Sequence, residues 1–188
     1  MITIYTDRLT IRESSGRDFS RIYAMLLSES RCAGACVDSG EGSQQNTGLP
    51  LAHDMPAKSL FYDVSDNEDE ELEKYLAYIH TVYSVFGIGL CSVVLNATGE
   101  VIGWCGLQPI GDEDSPLGRI ELGYLIDRLY RGRGYAFEAC SAILRFASQR
   151  LEIDSVYARI DGRNTSSVCL AERLGFVPDE GELWKLQP

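Results

Sequence analysis

The densest chemistry in this sequence lies in seven residues, Tyr130-Arg131-Gly132-Arg133-Gly134-Tyr135-Ala136. Glycine reaches backbone conformations closed to other residues. Two of them at a strand-to-helix junction let successive N–H groups converge on one ligand. A helix beginning near Ala136 adds the partial positive charge of its N-terminus, and Arg131 and Arg133 add full charges. The combination suits a pyrophosphate. It is read equally as a tight turn that leaves its arginines to solvent. A P-loop would need Gly-Lys followed by Ser or Thr, which the chain lacks. A dinucleotide fingerprint would need Gly or Ala where Phe137 stands, and would follow the first strand rather than the fourth.

Sulfur and imidazole offer less. Cys91, Cys105, Cys140 and Cys169 lie inside apolar stretches, where a thiol is ordinarily a small core filler. Cys32 and Cys36 have no second pair to complete a zinc site. His53 and His80 stand far from any cysteine in sequence. Neither a metal site nor a disulfide framework is expected. None of the cysteines is placed as an acyl carrier, so a group transfer would be direct rather than ping-pong.

The elements that must position the glycine–arginine turn can be read from periodicity. Residues 8–12 alternate like a strand, and 17–30 repeat Phe19, Ile22, Tyr23, Leu26 and Leu27 at helical spacing. Residues 31–58 carry Gly, Ser, Gln, Asn and Pro without a period and read as a long loop or insertion, the kind that binds or covers a site. Ser65 and Glu68 suggest a capping box for a second helix with the stripe Leu72, Tyr75, Leu76, Ile79, Tyr83 and Phe86. Strands follow at 88–95, 101–109 and 119–127, the first two joined by the hairpin connection Asn96–Glu100. A helix over 136–149 shows Ala136, Ala139, Cys140, Ile143, Leu144 and Ala147 on one stripe. Then come a strand at 155–160, a helix at 165–174 and a strand at 182–186. Three consecutive strands argue for an α/β fold with a mixed sheet rather than a doubly wound parallel one.

The 188 residues fit one domain spanning 1–188, large enough to bury roughly 70% of its unfolded surface. The net charge of −11 is lopsided: residues 1–118 hold 18 acids and 7 bases, residues 119–188 hold 10 of each. Such a chain is a poor wrapper of nucleic acid, which is held by neutralising phosphates. It suits a positively charged small partner better. No run approaches the ~18 apolar residues of a membrane span, and the first residues have no signal-peptide core. The expectation is a cytoplasmic protein without membrane or nucleic-acid partners. A homodimer is left open.

With these segments in view, the sequence resembles the GNAT N-acetyltransferases. Arg131-x-x-Gly134-x-Ala136 is similar to their acetyl-CoA motif, and Gly132–Ala139 to the subgroup containing the ribosomal-protein N-terminal acetyltransferases. Three further stretches match in order: Thr6–Arg12; Ile102–Leu107 with Glu121–Tyr124; and Asn164-x-x-Ser167 before Leu174-Gly175-Phe176. The resemblance implies a GNAT fold, a central mixed and mostly antiparallel sheet splayed in the middle and flanked by helices, with acetyl-CoA as acyl donor and no metal. It implies that the backbone of Leu125 and Ile126 pairs with pantetheine. It also implies that the N–H groups of Arg131, Gly132, Arg133, Gly134, Tyr135 and Ala136 hold the pyrophosphate, and that Asn164 and Ser167 lie near the CoA arm or thiol.

Amine attack on a thioester requires a proton to leave the amine and the thiolate to be stabilised. An N–H near Leu125 could polarise the thioester carbonyl. The resemblance points to Glu121 for the base side, with a structural carboxylate paired to arginine as the alternative reading. Asn164 is equally a helix N-cap. Ala171 stands where many relatives carry an acidic tyrosine, and Arg159 where some carry a glutamate, which leaves Ser167, water or no acid at all to meet the thiolate. The implied function is acetyl transfer to a primary amine, a protein N-terminus or a small cationic molecule. The alternative is a non-catalytic acyl-CoA-binding module, favoured by Ala171 and Arg159.

Overall fold

A computed structural model describes residues 2–34, 65–85, 87, 89–112, 115–151, 153 and 155–186. Its strands are β1 (Thr3–Tyr5), β2 (Leu9–Glu13), β3 (Leu90–Leu95), β4 (Val101–Asp112), β5 (Ser115–Ile126), β6 (Val156–Arg159), β7 (Phe176–Pro178) and β8 (Leu183–Leu186). Its helices are α1 (Phe19–Gly34), α2 (Glu68–Val85), α3 (Tyr135–Arg150) and α4 (Thr165–Leu174). One sheet orders the strands β1-β2-β3-β4-β5-β6-β8-β7. Its pairs are antiparallel except β5–β6. The mixed sheet expected from three adjacent strands, mostly antiparallel as the family resemblance implies, is the one observed.

Side-chain alternation along each strand divides the apolar residues between the two faces. On one face α3 and α4 cover Leu122 and Ile126 of β5 with Val156 and Ala158 of β6, and Ala139, Cys140, Ile143 and Ala147 supply the α3 side. On the other face Phe19, Ile22, Tyr23 and Leu26 of α1 and Tyr75, Tyr78 and Val82 of α2 pack over Leu90, Trp104 and Leu125. Small residues line the buried side of α3, while aromatic residues supply much of the packing of α1 and α2.

Four expectations need correction. The sequence reading omitted β1 and β7, each three residues long and too short to show a period. Pairing with β2 (Ile4 opposite Ile11) and with β8 (Val177 opposite Lys185) makes them strands. Helix α1 runs to Gly34 and so takes the first residues of the 31–58 loop. Beyond Gly34, that loop lies outside the described residues, as do Cys32's and Cys36's side chains, His53 and Phe86. Ser65 and Glu68 do not form a capping box. Asn67 Oδ1 accepts the Glu70 N–H (3.4 Å), and the Glu71 carboxylate accepts the Ser65 N–H (3.3 Å). The buried seam of α2 is Glu71, Tyr75, Tyr78 and Val82 rather than the purely apolar stripe, and Leu76 is exposed. Polar tips decide this choice. Tyr75 donates to the Ser15 carbonyl (3.3 Å), and Glu71 meets Lys74 Nζ at 3.0 Å.

Among the described residues no helix is long and apolar enough to cross a membrane.

Candidate active site

The glycine–arginine turn links β5 to α3 and is exposed from Arg131 to Gly134. Gly132 (φ 73°) and Gly134 (φ 81°) both take the left-handed conformation that glycine adopts at little cost. Gly134 is the N-cap of α3, and the first intrahelical bond runs from the Glu138 N–H to the Gly134 carbonyl (3.1 Å). The N–H groups of Tyr135, Ala136 and Phe137 precede that bond and have no intrahelical acceptor. Arg131 differs from its neighbours. Its N–H donates to the Arg128 carbonyl (3.3 Å), so the group turned outward begins at Gly132.

Two braces fix the turn. Arg8 donates from Nη1 to the Arg133 carbonyl (2.9 Å) and from Nε to Glu138 (2.7 Å), and its guanidinium lies 4.6 Å from the centre of the Tyr135 ring. Glu138 also accepts from the Thr6 hydroxyl (2.6 Å), which gives the Thr6–Arg12 stretch a physical role in holding the start of α3. On the other side Arg131 Nε donates to the Ile126 carbonyl (2.7 Å), and Glu29 of α1 meets both Arg128 and Arg131 at 2.7 Å. These two arginines hold the Glu29 carboxyl below its ordinary range despite the burial that opposes them.

The sheet opens beside this turn. The parallel β5–β6 pairing comprises Ile120 opposite Val156 and Glu121 opposite Tyr157. Strand β5 then continues to Ile126 against β4 alone. The splay leaves β5 from Leu122 to Ile126 without pairing to β6, next to the glycine–arginine turn. Leu125 turns its carbonyl toward Gly103 on β4, and Ile126 gives its carbonyl to Arg131.

Glu121 stands where the strands part. It is 2% exposed, and its Oε1 has no hydrogen-bond partner among the described residues. Burial pushes its carboxyl up to about 7; the charge and backbone N–H of Arg159 and the charge of Arg119 pull the other way. The alternative reading of Glu121, a carboxylate closed in an arginine pair, is therefore only half met. Arg159 attends it through the backbone, while Arg159 Nε is itself buried without an acceptor. Alternation puts Glu121 on the face that carries Leu125, α1 and α2.

Tyr124 points to the opposite face, toward α3 and α4. Its hydroxyl lies 2.8 Å from Ser167 Oγ, and burial pushes the phenol up to about 12. Asn164 accepts the Ser167 N–H through its side chain (3.2 Å), so it caps α4 and seats Ser167 in the first turn. Ala171 is buried one helical turn further on. The structure thus sets Glu121, Leu125 and Ile126 on β5, the turn 131–136 beyond the end of that strand, and Ser167 at the start of α4, where it meets Tyr124, a residue the sequence analysis quotes without a role. Period-two alternation could have put it opposite Glu121. Its meeting with a serine 43 residues away needs the fold.

Elsewhere Cys91, Cys105 and Cys140 are core residues as expected, while Cys169 is exposed on α4 and does not fill the core. Cys105 and Cys140 hold their sulfurs 3.6 Å apart in the interior, and burial pushes the Cys91 thiol up to about 12. Among the described residues no group of three or more His, Cys, Asp or Glu is arranged to hold a metal ion.

The Acetyltransferase (GNAT) domain family matches residues 51–177, and the chain belongs to that family. An uncharacterized N-acetyltransferase p20 of Bacillus licheniformis is 34% identical over 85 residues, covering 45% of this chain and 46% of that protein. The chain spans about half the length of the curated relatives it matches. Two solved structures share the fold. One is the ribosomal-protein-S5-alanine acetyltransferase of Vibrio fischeri (17% identity, TM-score 0.64, covering 96% of this chain and 85% of that one). The other is a spermidine/spermine N-acetyltransferase of Vibrio cholerae (18% identity, TM-score 0.65, covering 96% and 92%).

Proposed function

We propose that this member of the GNAT family transfers an acetyl group from acetyl-CoA to a primary amine by direct attack in a ternary complex. The acceptor is a protein N-terminus or a small amine that arrives as a cation. The motifs from Thr6 to Phe176 support a place beside the ribosomal-protein N-terminal acetyltransferases. The observation that carries the reading is the division of labour across the opening: a buried carboxylate with an unpartnered oxygen on one face, a hydroxyl pair on the other.

The exposed turn fits the donor, with its outward N–H groups, left-handed glycines and helix N-terminus. Acetyl-CoA supplies the activated acyl group. The backbone from Gly132 to Ala136 binds the pyrophosphate, and the β5 edge at Leu125 and Ile126 lines the pantetheine arm. The ammonium first gives one proton to solvent, which frees the nitrogen lone pair, and Glu121 accepts the second proton as that nitrogen bonds to the acyl carbon. The bond to sulfur breaks with its electron pair on sulfur, and the Ser167 hydroxyl donates a hydrogen bond to the thiolate. Tyr124 positions that hydroxyl. A phenol is the stronger donor, so it gives its proton to Ser167 Oγ and leaves the serine proton for sulfur.

The test measures CoA release over a panel of amines with wild type, S167A, Y124F and the double variant. Ser167→Ala lowers kcat by about tenfold to a hundredfold, the worth of one hydrogen bond to a developing charge. Tyr124→Phe gives a smaller loss, and the double variant is no worse than S167A because the two hydroxyls act in series. Additive losses would contradict the series arrangement. Full activity in S167A would remove the serine from the mechanism.

A further inference from the structure

The acceptor's chemistry is written on the sheet beside Glu121. On the face that carries Glu121, alternation and register set Arg119 two residues before it on β5, Tyr157 opposite it on β6, Arg159 two residues beyond, and Lys185 opposite Tyr157 on β8. The Tyr157 ring is flanked by the Arg119 guanidinium at 5.4 Å and by Lys185 Nζ at 5.6 Å from its centre. Arg119 and Lys185 are exposed, and Arg159 keeps a buried Nε without an acceptor. Among the described residues none of these three cations forms a side-chain ion pair with an acid within 4.0 Å. Among the described residues, three basic side chains thus gather on one face of β5, β6 and β8 in a chain of net charge −11.

By ideal strand spacing Arg119 lies about 7 Å from Glu121 along β5 and Lys185 about 10 Å away across two strands, while the Arg159 backbone N–H donates to the Glu121 carboxylate; this is an awkward seat for a polycation. The three cations complement an acceptor that carries an anion a few bonds from its amine. Its nitrogen meets Glu121, and its anion meets the cations around Tyr157. We infer that the acceptor is a small amino acid-like zwitterion, a primary amine bearing a free carboxylate, recognised by Arg119, Arg159 and Lys185 over the Tyr157 ring. This rests on the reading that Glu121 faces the attacking amine, and it narrows the two acceptor classes to one. A protein N-terminus, whose own carboxyl is an amide, lacks the anion.

The test compares kcat/KM for short α- and ω-amino acids, their carboxamides, and terminal diamines of equal length, using acetyl-CoA and wild type, R119Q and K185Q. Wild type prefers the amino acid to its amide by tenfold or more, an effect on the order of one well-placed charge pair, and the diamines are poorest. Arg119→Gln and Lys185→Gln each pull the carboxylate-to-amide ratio toward one, mainly through the KM of the carboxylate substrate. A structural role would lower all three classes together. Equal kcat/KM for the amino acids and their carboxamides, or an undiminished ratio in both variants, overturns the inference and leaves the acetyl-transfer reading standing. Release of CoA with no member of the panel overturns both.

Discussion

Glu121→Gln lowers kcat by about a hundredfold to a thousandfold, the range for removing a positioned general base, and leaves acetyl-CoA affinity within about twofold. The carboxylate works only when ionised. With its carboxyl pushed up to about 7, wild-type kcat climbs through neutral pH and levels above it, and the variant lacks that ascending limb. Stability moves the other way. The folded value lies above the ordinary 4.5, so the group's contribution to stability is fully present below pH 4.5 and is lost as pH rises through 7. At pH 8 the ionised, buried carboxylate costs on the order of 1–3 kcal/mol, which the variant does not bear. E121Q is therefore less active yet more heat-resistant than wild type at pH 8, with the difference gone at pH 4.5. Equal activity of the two proteins from pH 6 to 9 would take Glu121 out of the mechanism.

Gly103→Ala is the second large effect, and it acts on the sheet that creates the opening. A methyl group there would lie 2.2 Å from the Leu125 carbonyl oxygen and 2.9 Å from Ile126 Cδ1. Backbone cannot yield as a side chain can, so β4 and β5 must separate beside the splay. Such overpacking costs about 2–3 kcal/mol, a fall of about 4–12 °C in Tm for a domain of this size. Acetyl-CoA affinity falls with it, because Leu125 and Ile126 form the edge assigned to the donor. Gly162→Ala is the control: its added methyl meets nothing within 4 Å. Its stability stays within about 0.5 kcal/mol of wild type, about 1–2 °C in Tm. Equal melting of G103A and wild type would show that the strands do not approach as described.

Much of this was legible where local chemistry and periodicity agree. Helix α4 is bounded by Asn164, which caps it, and by Gly175 in the left-handed conformation, so its limits could be read to the residue. The turn at Gly132 and Gly134 announced its positive φ angles through residue type alone. The seam of α2 was misread because hydropathy counts Tyr75 and Tyr78 as rivals of Leu72 and Leu76 and gives Glu71 no claim to the interior. Hydrogen-bond acceptors on neighbouring segments decide that case. The cationic patch escaped for a different reason. Arg119, Arg159 and Lys185 are 40 and 26 residues apart in sequence, and only the β5–β6–β8 register makes them neighbours. The acidic total of the chain even pointed the other way, toward a cationic acceptor, since a net charge says nothing about where charge sits.

The central claim, that the turn between β5 and α3 binds an acyl-CoA, is tested most directly by thermal denaturation with acetyl-CoA, CoA and NADH titrated side by side. A ligand at 100 times its Kd adds about 2.7 kcal/mol of stability. For a domain of this size that is a rise of about 5–11 °C. The account predicts this rise with acetyl-CoA and with CoA and none with NADH. An unchanged midpoint with all three would make the glycine–arginine turn a structural corner and contradict the acetyl-transfer account.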